Sequence, residues 1–153
     1  MPLLGYVKWR NFEEVVIKGK EKNYSEAFLI EDYVNKGLIR IKGLQDLYSK
    51  KADFIYNSNK IIDYGEAETI CLALQEKEEF VLIDEKTARK IAKLYGINSI
   101  GSLGILIIAF RKKLLDEKEI KEVLDGILKT NFRISGDLVQ DFWELIKRIQ
   151  KEK

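Results

Sequence analysis

The side chains with chemistry to offer in this sequence are carboxylates, and they gather in one stretch, residues 63–106. Asp63, Glu66 and Glu68 fall within six residues, and Asp84 and Glu85 close the apolar run 80–83. There is no histidine and one cysteine, Cys71. That excludes a Ser-His-Asp triad, a Cys-His pair and the His-based or Cys-rich zinc sites. Neither GxxxxGK[ST] nor GxGxxG occurs, so a standard nucleotide-binding loop is not expected. Acid–base or metal chemistry would rest on carboxylates, with Lys and Arg for an anionic partner. Oxygen-only ligation suits magnesium or manganese.

Each acid has a structural reading beside the chemical one. Asp63 followed by Glu66 spells a capping box, and negative charge is favoured at a helix N-terminus. Glu68, at ~100° per residue, lies on the opposite flank of the apolar face from Glu66, so the two do not easily share a ligand site. Periodicity alone makes Glu68 a solvated flank residue; otherwise it is a ligand. Asp84 follows an apolar strand directly and should project into the crevice beyond the strand's carboxyl end. Alternatively it caps the helix that begins near Glu85. Gly101 and Gly104 suit either an anion cradle at a helix start or tight strand-to-helix packing. Lys86, Arg89, Lys90 and Lys93 form a basic face that could track phosphates or simply be solvated.

The elements that must position these residues alternate. Residues 3–9 could form a short strand, and 12–16 a helix start closed by a turn at 18–20. Ser25 is a fair N-cap for a helix to about Asn35, with Ala27, Phe28, Ile30 and Val34 as its apolar face and Gly37 as its stop. A strand is expected at 38–41. Residues 43–60 suggest only a helical turn around Leu44, Leu47 and Tyr48, then a loop at 57–60. The pattern predicts a helix over 63–77 with Ala67, Ile70, Cys71 and Leu74 inward. The run 80–83 reads as a strand covered on both sides. A helix over 87–95, stopped by Gly96, a strand over 97–100, an apolar helix after Gly101, and helices over 116–130 and 135–151 complete the chain. Strands alternating with helices argue for an α/β fold with a mainly parallel sheet.

Composition sets the frame. At 153 residues, 46% hydrophobic and with one proline, the chain can bury a real core as one domain. A net charge of +2 gives no general reason to expect a nucleic-acid binder. One cysteine fits a reducing cytosol. The longest apolar run, 103–110, is far short of a bilayer span, and no signal pattern opens the chain.

GEAETICLALQ, then LIDEKTARKIAKLYGI, then IGSLGIL, resemble PIN-domain proteins. The branch they resemble is the uncharacterised prokaryotic one related to VapC-type toxin nucleases. The similarity reaches back to FEEVVIKGK and on to NFRISGDLVQDFWELIK, and so covers most of the chain. The resemblance implies one domain over 1–153 with a three-layer fold, a mainly parallel sheet flanked by helices. It implies a cytoplasmic, magnesium- or manganese-dependent endoribonuclease of toxin–antitoxin type acting on single-stranded RNA. A cognate antitoxin and a homodimer go with it. Carried over by motif, Glu68, Asp84 and Glu14 are the catalytic acids and metal ligands. Glu66 is the rival of Glu68, and Glu85 a further ligand. Arg89, with Lys86 and Lys93, would hold the nucleic acid. One departure stands out. The family opens with an apolar strand ending in Asp, central in its sheet, whereas no Asp precedes Glu14 here and Glu13 is the sole acid before it. The first family strand is therefore expected to be missing, giving a shifted sheet, a swapped element or a dimer. The alternative function is a degenerate, non-catalytic module that binds RNA or a protein partner.

Overall fold

The computed structural model describes residues 5–59, 61–130 and 134–152, Trp9 by its backbone alone. The chain divides into two compact units, Met1–Ser99 and Ile100–Lys153.

In the first unit, strand β1 (Gly5–Lys8) pairs in parallel with β2 (Ile39–Lys42), Gly5 opposite Ile39 and Lys8 opposite Lys42. β1 runs straight into helical chain: α1 (Trp9–Phe12), a π-helical stretch (Glu13–Ile17) and α2 (Lys18–Glu21). The turn expected at 18–20 is not there. Gly19 is helical and buried, and a Cβ on it would come to 3.0 Å from the Cβ of Ala27. The glycine lets two helices touch rather than ending one. Helix α3 (Ser25–Asn35) starts on Ser25 itself, with Tyr24 at the cap position and no side-chain cap bond. Of its expected apolar face, Ala27 is buried but Phe28 is exposed, and the Lys20 ammonium lies 5.5 Å over the Phe28 ring. Gly37, at φ +71°, stops the helix in the conformation that favours glycine.

Helix α4 (Asp46–Ser58) is a full helix where the sequence suggested one turn and a loop. Its buried Ala52 and Ile55 join Ala67, Ile70 and Cys71 of α5 (Tyr64–Glu76), Val81 of β3 (Phe80–Leu82) and Ala88, Ile91 and Ala92 of α6 (Lys86–Leu94) in one apolar core. β4 (Asn98–Ile100) pairs with β3. β3 is not covered on both sides: Val81 is buried, while Phe80 and Leu82 are 52% and 65% exposed. The expected continuous three-layer sheet is not formed among the described residues. They form an α/β arrangement with two two-stranded sheets, β1–β2 and β3–β4. The strands are three or four residues long, and each is bonded to its neighbour in sequence.

The second unit is helical. α7 (Ser102–Arg111), α8 (Glu117–Leu128) and α9 (Gly136–Lys151) bury Leu106, Phe110, Ile120, Leu124, Phe142, Ile146 and Ile149 against one another. Gly104 supports the packing reading, since a Cβ there would meet Ile100 Cγ2 at 3.0 Å.

Both units use acids to start helices. Asp63 accepts from Glu66 N at 2.7 Å while Glu66 accepts from Asp63 N at 3.0 Å, the capping box expected from sequence. Asp116 and Glu119 repeat it at α8, at 2.8 Å both ways. Asp63→Ala and Asp116→Ala should each cost about 1 kcal/mol in urea unfolding. A change below ~0.3 kcal/mol at either position would mean the cap is idle.

Candidate functional site

The polar centre of the first unit lies where β1 meets α5. Glu68 sits one turn into α5 and is 2% exposed, so it is a buried carboxylate and not the solvated flank residue that periodicity suggests. Taking a charge out of water costs several kcal/mol unless a partner meets it. Lys8, the last residue of β1 and itself 15% exposed, is that partner: its ammonium donates to Glu68 Oε1. Arg10 stands behind. Its Nε lies 3.4 Å from Glu68 Oε2, close enough for charge attraction, but it makes no hydrogen bond there. Oε2 is therefore buried without a hydrogen-bond donor.

The same residues open onto a cleft of about 340 Å³ lined by Lys8, Arg10, Glu13, Glu14 and Lys18. The last four lie on one face of the α1–α2 run at helical spacing, and Glu13 and Glu14 open its π-helical stretch. π-helical turns inside helices are frequent at functional sites. Around the rim the Arg10 guanidinium lies 5.0 Å over the Tyr64 ring. Tyr64 meets Tyr56 edge-on at 5.4 Å and donates to Asp53 Oδ1 at 2.6 Å. The Asp53 bond first, then burial and the charges of Asp53 and Glu68, push the Tyr64 phenol up to about 12, against the pull of Arg10. Asn11 binds Thr69 Oγ1 at 3.3 Å, and Thr69 returns a bond to Gly65 O at 2.8 Å. Gly65 matters here because a Cβ would sit 3.3 Å from Asn11 Oδ1, tightening the approach of α1 to α5.

Of the acids singled out by sequence, Glu14 and Glu68 share this neighbourhood. Asp63, Glu66 and Glu85 serve the starts of helices. Glu66 is half-buried in its capping box. Burial first, and then the charges of Asp63 and Glu85, raise its carboxyl, while the bond from Asp63 N opposes the rise. Glu85, not Asp84, caps α6, accepting from Ala88 N at 2.7 Å. Asp84 is exposed at the end of β3. Lys86, Arg89, Lys90 and Lys93 are exposed along α6. Gly101 and Gly104 belong with the second unit. The expected ligand set, Glu68, Asp84 and Glu14 with Glu66 and Glu85, is not assembled. Among the described residues no three His, Cys, Asp or Glu side chains form a group able to hold a metal ion. Magnesium and manganese need several oxygen ligands, and among the described residues the one buried carboxylate, Glu68, already accepts from Lys8 at Oε1 and belongs to no such group. The residues present do not fit a divalent-metal centre. Lys8, Arg10 and Tyr64 escaped the sequence reading. The signal for Lys8 was weak: a lysine closing the short apolar strand GYVK.

A family model described as a PIN domain (DUF3368) matches residues 10–148, most of the chain and parts of both units. No curated protein and no solved structure matches it.

Removing Lys8 alone leaves a buried, uncompensated charge. Lys8→Met should therefore cost about 3–5 kcal/mol in chemical unfolding. Adding Glu68→Gln should restore most of that loss, and Arg10→Gln, at a side chain 57% exposed, should stay within about 1 kcal/mol. Equal costs for all three would remove the pair from the centre of this unit. Tyr64 gives a pH signature. Its folded phenol ionises near 12 instead of 10.0, so its contribution to stability is whole below pH 10 and lost as pH rises toward 12. The stability gap between wild type and Tyr64→Phe should close over that window, and a gap independent of pH would contradict the assignment.

Proposed function

The chain belongs to the PIN-domain family, and on that premise we propose that it is an RNA-binding module of toxin–antitoxin type that holds single-stranded RNA without metal-dependent cutting. The observation that carries this reading is the Lys8–Glu68–Arg10 contact, which commits the central acid to the chain's own cations. The exposed basic face of α6, Lys86, Arg89, Lys90 and Lys93, is the surface suited to phosphates, because exposed cations release counterions when they meet a nucleic-acid backbone. The cleft is less suited to phosphate, since Glu13 and Glu14 line it too. A cognate antitoxin, a homodimer and a cytoplasmic setting belong to the same proposal. Among the described residues no helix is long and apolar enough to cross a membrane.

The second reading is a magnesium- or manganese-dependent endoribonuclease using Glu68, Asp84 and Glu14. One observation favours it: Glu14 lines the cleft whose Lys8 and Arg10 touch Glu68, so two of the three acids share a neighbourhood.

Fluorescence anisotropy with a labelled single-stranded RNA separates the readings. Binding should weaken steeply between low and moderate salt. The Lys86→Gln, Arg89→Gln, Lys93→Gln triple variant should flatten the logarithmic salt slope by about 2. The RNA should stay intact with magnesium or manganese for wild type, Glu68→Gln and Asp84→Asn alike. Cleavage by wild type that disappears in both acid variants would establish the nuclease instead, and no binding at low salt would end the RNA reading.

A further inference from the structure

We propose that Lys8 is a resident cation of the Glu68 site: with Arg10 it occupies the buried carboxylate and closes the cleft to divalent metal. The claim concerns the metal preference of the cleft described above and rests on the family premise, not on RNA binding.

Three features of the structure carry it. First, occupancy: Glu68 Oε1 accepts from the Lys8 ammonium, and Oε2 faces the Arg10 guanidinium at 3.4 Å. Oε1 cannot take a metal ion without displacing the Lys8 ammonium, and an ion at Oε2 would face the Arg10 charge, although Arg10 makes no hydrogen bond there. Second, charge: Lys8, Arg10 and Lys18 stand against Glu13, Glu14 and Glu68, so the cleft and its buried acid are already neutral. A divalent ion would add uncompensated positive charge in partly dehydrated surroundings, where Coulomb repulsion is screened least. Third, anchoring: the Lys8 backbone is held in the β1–β2 ladder opposite Lys42, and its side chain is only 15% exposed. The ammonium is thus supplied by the chain itself, whereas a metal ion would have to be bound from solution.

The arrangement also predicts what lies beneath the closure. Lys8 and Arg10 both touch Glu68 and line the cleft that the two acids of the π-helical stretch also line. Removing both cations leaves a cleft lined by Glu13, Glu14 and Lys18, with Glu68 stripped of the two cations that touch it. A carboxylate freed in this way is an oxygen donor suited to manganese.

The test is manganese binding to the full chain, read by the loss of the free-ion electron paramagnetic resonance signal and by melting temperature. Wild type should show no binding that depends on Glu68 at about 1 mM manganese. Lys8→Met with Arg10→Gln should bind at least about tenfold tighter than wild type and melt higher as manganese is added. Adding Glu68→Gln should abolish both effects. Wild-type binding that is lost in Glu68→Gln overturns the proposal, as does a double variant no tighter than wild type. Arg10→Gln alone matching the double variant would show that Lys8 is not the closure. A double variant that stays unfolded even in manganese also counts against it, because an ion able to take the place of Lys8 must restore the fold. None of these outcomes depends on whether the chain binds RNA, so a failed anisotropy experiment and a failed metal experiment remain separate results.

Discussion

A carboxylate taken out of water has to be met by positive charge, and in the first unit that demand governs how the β1–β2 sheet sits on α5. Lys8 and Lys42 are cross-strand partners, an arrangement that repels when nothing intervenes. Each is drawn to a different acid of α5: Lys8 to Glu68, and Lys42 to Glu76 at 3.3 Å. The two acids stand about 12 Å apart along the helix. The pair of like charges at the sheet end therefore becomes two clamps. Gln75 first, and then Lys42, hold the Glu76 carboxyl below its ordinary range, so the outer clamp tightens above the usual carboxylate pKa and is lost as pH falls. Glu76 is the minor partner, because its Lys42 is well exposed and water screens the attraction. Glu68, sealed from water, sets the geometry.

Around this polar joint the fold is ordinary apolar packing. Small residues let the helices approach closely. Ala52, Ala67, Ala88 and Ala92 are fully buried where α4, α5 and α6 meet. The two short sheets contribute little on their own, since a two-stranded ribbon is marginal in water without a packed face. Val81 supplies such a face to β3, but Phe80 and Leu82 on its other side are left largely in solvent. The helical second unit closes its own core and needs no sheet.

Much of this was legible in the sequence wherever one local rule decides the outcome. Asp63–Glu66 and Asp116–Glu119 are capping boxes because the spacing alone lets each side chain reach the other's backbone. Gly37 and Gly96 end helices because both adopt positive φ, +71° and +77°. The family resemblance likewise rested on contiguous motifs, and the match over 10–148 bears it out. What could not be read depends on residues far apart in the chain. Glu68 is buried because β1, sixty residues earlier, brings Lys8 onto it. Periodicity sees one helix and assigns a charged flank to solvent. α4 was hidden because its buried positions, Ala52 and Ile55, are flanked by Lys50, Lys51 and Asp53, which blur the apolar stripe. Gly19 looked like a turn because a glycine between lysines usually is one; here it is a point of helix contact with Ala27.

The two acids at the start of α5 explain why proximity in sequence did not become one site. Glu66 and Glu68 point about 200° apart around the helix axis. Glu66 faces the N-terminal end of α5, where it closes the capping box and feels the charge of Glu85 at the start of α6. Glu68 faces β1, where Lys8 and Arg10 neutralise it. A helix start gathers negative charge for its own reasons, since unpaired N–H groups and the helix dipole favour it. The acids near Asp63 and Glu85 are stabilised there without any ligand. Only Glu68 lies too deep in the helix for that explanation, and only Glu68 among the described residues is charged, buried and paired across the chain. A sequence motif counts these carboxylates as equivalent. The environments that fold around them make one a salt-bridge centre and the others helix caps, and that difference, not the number of acids, decides what chemistry the site can support.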